Sequence, residues 1–360
     1  MENSQTNTYS ALGLMSGTSL DGLDIAYVEF QHIQGKWQYR LGPCTTLAYS
    51  EKWRNDLGQA IHLSGLELTR LHHRLGAYFG ELAQQFIQEH QVSPQWIGSH
   101  GHTVFHQPKE GFTLQIGDPY ALLVVTRIPV VADFRSLDVA LGGQGAPLVP
   151  IGDELLFGQY GACINLGGIA NISWSKQDTR LAFDIAPANM LLNHIIQPLG
   201  LLYDNQGQLA QKGQVNEALF EALNRLAYYQ EAYPKSLGVE WFQQMVLPLL
   251  AQYPDTVENH LCTACHHIAY QIGQVLDKES IQGEILLTGG GAFHSYLVSL
   301  FSQYWPKGCR PVVPEAELIN YKEALVFAFL AVLHQTGNIN VWKSVTGAQA
   351  DSRSGILYSL

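Results

Sequence analysis

The stretch GLMSGTSLDGLDIAYVEF, Gly13 to Phe30, decides how the chain is to be read. An apolar run meets a burst of Gly, Ser, Thr and Asp, and alternation then resumes through Ile25, Tyr27 and Val28. That pattern predicts strand, tight turn, strand. The turn gathers Ser16, Gly17, Thr18, Ser19 and Asp21. Backbone N–H groups, hydroxyls and one acid suit a polyphosphate and its metal. They also suit an ordinary turn, so the rest of the chain must decide.

The same idea returns in ACINLGGIANISW, Ala162 to Trp174, with an apolar strand, a break at Gly167 and Gly168, and a second strand. EILLTGGGAFHSYLVSLF, Glu284 to Phe301, follows another rule: a strand, then Gly289, Gly290 and Gly291, then a helix. Two phosphate-type hairpins, one per half, and a late strand–GGG–helix make a specific combination. Their order resembles the actin-like, sugar-kinase and Hsp70 ATPase layout. The fold class expected is therefore α/β, a two-domain actin-like ATPase (ribonuclease H-like) fold with an interdomain cleft. In that layout each domain presents a hairpin to the nucleotide phosphates, and the GGG turn packs against adenosine. The acid usual before the first glycine turn is absent, since Met15 and Ser16 stand there. Asp21 and Asp24 are the nearest acids, and Asp21 is the first candidate for Mg²⁺.

Around these motifs, Leu68 to His90 has helical spacing through Leu71, Leu75, Phe79, Leu82 and Phe86. WIGSH, TLQIG (113–117) and IPVVADF (128–134) read as strands. The Gly/Pro-rich ALGGQGAPLVP, Ala140 to Pro150, reads as a domain crossing. The expected division is residues 8–135 plus 340–360 for domain I and 136–339 for domain II.

With 360 residues the chain has room for two cores of ordinary size. Its net charge of −11 argues against a nucleic-acid backbone or anionic lipid as partner. The first residues lack a basic n-region and an apolar h-region, and no apolar stretch is long enough to span a bilayer. Five scattered cysteines do not make a disulfide framework, which points to a reducing cytoplasm. Cys262, Cys265 and His266 spell a haem-attachment pattern, but LCTACHHIAYQIGQVL also reads as an amphipathic helix with Leu261, Cys265, Ile268 and Ile272 on one side. The helix is the reading taken.

Several stretches together resemble one family, the anhydro-N-acetylmuramic acid kinases of peptidoglycan recycling. They are GLMSGTSLDGLD (13–24), SHGHTVFH (99–106), LQIGD (114–118), VVADFR (130–135), ALGGQGAPLVP (140–150), NLGGIANIS (165–173), PKSLG (234–238), LTGGGAFH (287–294), EALVFAFLA (323–331) and SVTGA (344–348). The resemblance implies an ATP- and Mg²⁺-dependent kinase that opens the 1,6-anhydro bridge with water and phosphorylates O6, giving N-acetylmuramic acid 6-phosphate. It implies a small anhydro-sugar as substrate and suggests a homodimer.

The family's base lies in a motif matched here by FDIAPAN, Phe183 to Asn189. Asp184, Pro187 and Asn189 are kept, while Ile185, Ala186 and Ala188 replace Thr, Gly and Gly. Asp184 is the expected catalytic base, although an acid at a strand end also suits a helix cap. The phosphate contacts implied are Ser16, Gly17, Thr18, Ser19, Leu20, Asp21, Gly22, Leu23, Asp24, Gly167, Gly168, Gly289, Gly290 and Gly291. Arg135, Asn189, Glu323 and His102 are the implied sugar contacts. Arg135 also suits a plain surface arginine with Asp133 as partner, and Glu323 suits a helix first turn. His100, His102 and His106 alternate like metal ligands, but no Cys or acid completes a set. The altered FDIAPAN frame keeps two alternatives open: a kinase for another anhydro-sugar such as levoglucosan, or a non-catalytic nucleotide or sugar sensor.

Overall fold

The computed structural model describes residues 7–17 and 19–360; Thr18, expected among the phosphate contacts, lies outside the described residues, as do residues 1–6. The chain forms two compact units, one taking in the chain up to Leu156 together with Tyr321–Leu360, the other Phe157–Asn320. The first unit contains β1 (Asn7–Ser16), β2 (Gly22–Ile33), β3 (Lys36–Ala48), β4 (Trp96–Gln107), β5 (Phe112–Ile116) and β6 (Val130–Ala132). The second contains β7 (Ala162–Leu166), β8 (Ile169–Lys176), β9 (Thr179–Pro187), β10 (Gly283–Thr288) and β11 (Cys309–Val312). Finally β12 (Ile356–Tyr358) joins the first unit's sheet, on β6.

The two sheets share one wiring. In the first, β3, β2 and β1 form an antiparallel meander, and β4 and β6 continue beside β1 in parallel, with β5 hairpinned onto β4. In the second, β9, β8 and β7 form the meander, and β10 and β11 follow in parallel. With the hairpin strand β5 and the edge strand β12 set aside, each sheet thus runs third, second, first, fourth, fifth. This duplicated ribonuclease H-like order is the two-domain actin-like class that the repeated glycine hairpins predict.

In the first unit a helix, Gly65–His90, covers one face of the sheet. Ser64 and Glu67 close a capping box at its start, and Gln91 ends it in the left-handed region at φ 53°. Its buried stripe, Leu71, Leu75, Phe79, Ala83 and Phe86, packs into one cluster with Leu12 and Leu14 of β1 and Ile97 of β4. A second helix, Ala316–Gln335, is buried on every side from Ala324 to Leu333. It comes so close to the strands that only glycine fits beneath it. A Cβ on Gly13 would lie 1.7 Å from the Ala324 carbonyl oxygen, and one on Gly98 would lie 2.1 Å from that of Phe327. Gly13 and Gly98 are direct partners across β1 and β4.

This contact explains where the observed division departs from the expected one. Residues 321–339 and 136–156 belong to the first unit, because the helix lies on β1 and β4 and the Gly/Pro-rich segment is tied back by Gln144 N–H to the Thr346 carbonyl at 2.8 Å. The expected strand 128–134 is also shortened to Val130–Ala132, since Asp133 turns to φ 59° and a helix starts at Ser136.

In the second unit the helix Val257–Lys278 carries the C-x-x-C-H residues as helix. Leu261, Cys265, Ile268 and Ile272 are fully buried, and both ring nitrogens of His266 contact tyrosine hydroxyls, Tyr304 at 2.7 Å and Tyr296 at 3.2 Å. Among the described residues no helix is long and apolar enough to cross a membrane.

Gly98→Val should therefore cost at least about 2 kcal/mol, because the helix backbone cannot yield as a flexible side chain would. Gly65→Ala, at a helical position with nothing within 4 Å, should be neutral or stabilising. Urea melts of the two variants beside the parent check this; equal midpoints for Gly98→Val and the parent would contradict the close approach.

Candidate functional site

In the first unit, β1 ends at Ser16, and the turn through Gly17, Ser19, Leu20 and Asp21 leads into β2. Leu20 adopts φ 60°, and the Asp21 carbonyl accepts the Tyr49 N–H at 3.2 Å. Asp21 and Ser19 are exposed. Gly22 and Leu23 already belong to the sheet: a Cβ on Gly22 would meet the Leu47 carbonyl oxygen at 2.5 Å, and Leu23 lies in the core. Asp24 accepts the Thr46 hydroxyl at 2.6 Å, and burial raises its carboxyl above the ordinary value against the pull of that bond.

Ser16 itself is buried, with the Tyr49 hydroxyl 2.7 Å and His102 Nδ1 2.9 Å from its Oγ. Its hydroxyl is committed inside the protein. His102 sits on β4 opposite Ser16, and burial holds its imidazole down at about 4, so it is neutral at physiological pH. Between His100 and His102, Gly101 takes φ 73°, and a Cβ there would meet the Ile116 carbonyl oxygen at 2.7 Å.

Arg135 is held by a chain of contacts drawn from distant segments. His100 Nδ1–H donates to the Gly101 carbonyl at 2.9 Å, which leaves its Nε2 to accept from Arg135 Nη2 at 2.9 Å and Nε at 3.2 Å. Arg135 Nη1 donates to the Gly145 carbonyl at 2.6 Å. The fully buried Asp138 accepts the Gly145 N–H and the Thr346 hydroxyl, each at 2.7 Å. Asp133, the partner expected for Arg135, instead accepts the Ser136 N–H at 3.3 Å. Burial lowers the Arg135 guanidinium to about 10, with Glu323 and Asp138 pulling the other way. Glu323 keeps an exposed face, and the protein crowded around it raises its carboxyl, opposed first by Arg135. It stands mid-helix in Ala316–Gln335, so its expected place in a helix first turn is corrected: the helix begins seven residues earlier.

In the second unit, Asp184 pairs with Asn171 across β8 and β9, and a bulge follows at once, because Ala186 pairs with Ala170 and Ile185 is the extra residue. Phe183 and Ile185 point into the core, and Asp184 is half-buried on the other side. One carboxylate oxygen accepts the Leu237 N–H at 2.9 Å, and the Asp184 carbonyl accepts the Tyr228 hydroxyl at 2.5 Å. Lys235 lies 5.3 Å from the Phe183 ring centroid and 4.4 Å from that of Tyr228, which fixes this clamp. Burial raises the Asp184 carboxyl, and the Leu237 amide pulls it back. Asp184 caps no helix: the helix Asn189–Ile196 has no side-chain cap, and the Ala188, Asn189 and Met190 amides donate to the carbonyls of Gly167 and Gly168.

That arrangement leaves the Gly167 and Gly168 amides with no backbone acceptor among the described residues. Gly168 and Gly290 are exposed, and Gly289 takes φ 77° where a Cβ would meet Asn165 Oδ1 at 2.5 Å. Asn189 spends its amide on the Leu166 carbonyl at 3.0 Å, tying the helix to β7. Bare amides on an exposed glycine turn fit a phosphate. No group of three or more His, Cys, Asp or Glu among the described residues could hold a metal ion. The exposed Asp21 suits a magnesium ion that takes most of its ligands from phosphate and water. Tyr49, Asp138, Gly145 and Thr346 are the residues that the sequence reading missed, and His100, noted there only among the alternating histidines, is the one that orients Arg135. Most lie in or beside matched segments, but their convergence is a property of the fold.

A carboxyl raised by burial binds its proton more tightly folded than unfolded. It therefore favours folding at low pH, and that contribution is lost as pH rises from the ordinary carboxylate range through the raised value. Asp184→Asn, which keeps the acceptor for Leu237, should match or exceed the parent's melting temperature at pH 7 and lose that advantage near pH 4. A markedly lower melting temperature at pH 7 would show that the carboxylate serves the fold.

The profile of the family described as anhydro-N-acetylmuramic acid kinase matches residues 9–359. A protein of that name from Shewanella denitrificans is 36% identical over 372 residues, covering 97% of this chain and 98% of the relative. One from Shewanella sediminis is 34% identical, covering 98% and 99%. One from Actinobacillus pleuropneumoniae serotype 5b is 34% identical, covering 96% and 98%. Likeness to solved structures is remote: an activator of 2-hydroxyisocaproyl-CoA dehydratase from Clostridium difficile with bound ADPNP has a TM-score of 0.42 at 11% identity, over 91% of this chain and 97% of that one. With a profile spanning nearly every residue and relatives above 30% identity end to end, the chain belongs to the anhydro-N-acetylmuramic acid kinase family.

Proposed function

We propose that the protein is an ATP-dependent kinase that opens the 1,6-anhydro ring of anhydro-N-acetylmuramic acid and phosphorylates O6. The observation that carries this reading is Asp184: one carboxylate oxygen accepts the Leu237 N–H, its backbone carbonyl takes the Tyr228 hydroxyl, and its other carboxylate oxygen has no hydrogen-bond partner among the described residues, so it can accept a proton. Membership of the family supplies the substrate class.

In this mechanism Asp184 takes a proton from water as the water oxygen bonds to the anomeric carbon. The bond from that carbon to O6 breaks, and O6 accepts the γ-phosphoryl group of ATP, releasing ADP. The raised pKa of Asp184 brings the base nearer to working pH, which favours proton uptake. The Gly167 and Gly168 amides offer donors to phosphate oxygens, and the turn from Gly17 to Asp21 offers further ones. Asp21 would be the protein carboxylate for a magnesium ion bound with the triphosphate, which would supply charge neutralisation to the transferring group. Arg135, oriented by His100 and Gly145, pairs with the sugar's lactyl carboxylate, and Glu323 and His102 contact the sugar. The Ile185, Ala186 and Ala188 substitutions are compatible with this role. None has a positive φ, and all three are buried, so they change the core behind Asp184 and leave the carboxylate in place. The same reading carries a cytoplasmic enzyme, supported by five free cysteines, and, on family grounds alone, a homodimer.

Incubation with ATP, Mg²⁺ and the anhydro sugar in H₂¹⁸O should give a 6-phosphate with the label at the anomeric hydroxyl. Asp184→Asn should lower kcat by about 10²–10⁴-fold. A parent that turns over levoglucosan and not the muramic sugar would move the assignment to another anhydro-hexose. Saturable nucleotide binding without transfer to any sugar would sink it.

A further inference from the structure

We infer that Tyr49 is a positioning residue that, through Ser16, fixes His102 in the tautomer whose Nε2–H donates to an oxygen of the bound sugar. The argument is a proton count. The Tyr49 side chain is 2% exposed, and its hydroxyl has one partner among the described residues, Ser16 Oγ at 2.7 Å. A buried donor left unpaired is costly, so the tyrosine proton points at Ser16. Ser16 is 1% exposed and has one proton of its own, with one remaining partner, His102 Nδ1 at 2.9 Å. That proton goes to the imidazole, so Nδ1 is the acceptor and Nε2 carries the hydrogen. The reverse direction, from His102 through Ser16 to Tyr49, would strand the tyrosine proton.

His102 is 4% exposed, and its Nε2 has no hydrogen-bond partner among the described residues. That nitrogen is not among the atoms sealed from solvent, so it presents its N–H where a ligand oxygen can reach it. The other tautomer would present a lone pair instead and repel an oxygen acceptor. Nearby, His100 shows the opposite assignment. Its Nδ1–H is used by the Gly101 carbonyl, and its bare Nε2 receives Arg135. Gly101, at φ 73°, separates the two rings, so one histidine of SHGH accepts while the other donates.

The tautomer follows from hydrogen bonds alone; the identity of the acceptor rests on the function proposed above. Nitrogen-15 NMR of histidine-labelled protein reads both, with the His102 signal assigned by its loss in His102→Gln. The parent should show the Nε2–H form, Tyr49→Phe and Ser16→Ala should each populate the Nδ1–H form, and the anhydro sugar should shift the Nε2–H signal. Tyr49→Phe should raise KM for the sugar about three- to tenfold with kcat nearly unchanged, and His102→Gln, which keeps an N–H donor, should fall less than His102→Phe. An Nδ1–H parent, or a tautomer indifferent to both Tyr49→Phe and Ser16→Ala, overturns the inference. A signal moved by a non-hydrolysable ATP analogue and not by the sugar overturns its sugar assignment. If the tautomer behaves as expected and no sugar is turned over, it is the proposed function that has failed.

Discussion

The constraint on which the first unit depends is the contact of a helix backbone with two paired strand glycines. Gly13 and Gly98 sit side by side on β1 and β4, and the backbone of Ala324 and Phe327 occupies the space their side chains would need. Everything of chemical interest in that unit is counted from this point. Three residues beyond Gly13 the strand delivers Ser16 and the turn toward Asp21. Two and four residues beyond Gly98 it delivers His100 and His102. The residue before Ala324 is Glu323. Close packing of this kind is intolerant of volume change, so the relative placement of these groups is set by backbone and not by adjustable side chains.

Much of this architecture is legible in the sequence, and the reason is local. Strand–turn–strand at 13–30 and 162–174, the long helix ending at His90, and the strand–GGG–helix at 284–301 each follow from periodicity and turn chemistry within a few residues. What escaped the reading depends on partners far along the chain. EALVFAFLAVL looks like the start of a helix because its unbroken apolar run starts there, yet the helix begins at Ala316, in AELINYK, where polar residues flank Leu318 and Ile319. The Gly/Pro-rich segment 140–150 looks like a crossing because its composition breaks regular structure. It serves instead to bring Gly145 to Arg135, with Asp138 and Thr346 behind it. Arg135 drew attention for its charge, but nothing local announces that its guanidinium is aimed by a histidine 35 positions earlier.

The FDIAPAN segment shows a different limit. Replacing small residues by larger ones just after the proposed base suggests a constrained backbone, and the concern is sound where a positive φ is required. Here the bulge at Ile185 absorbs the change: its side chain lies in the core with Phe183, and the carboxylate of Asp184 keeps its own side of the strand. A register shift of one residue is invisible in a single sequence, yet it decides which face each side chain takes.

The turn at Gly167 and Gly168 has a mechanical corollary. Its carbonyls serve as anchors for the opening amides of the helix Asn189–Ile196, so the peptide planes are gripped from behind. Such a turn cannot swing to greet an incoming anion without unravelling that helix. A phosphate docking here, as proposed above, would meet a ready-made socket, with the reorganisation cost met during folding and any adaptation left to the ligand.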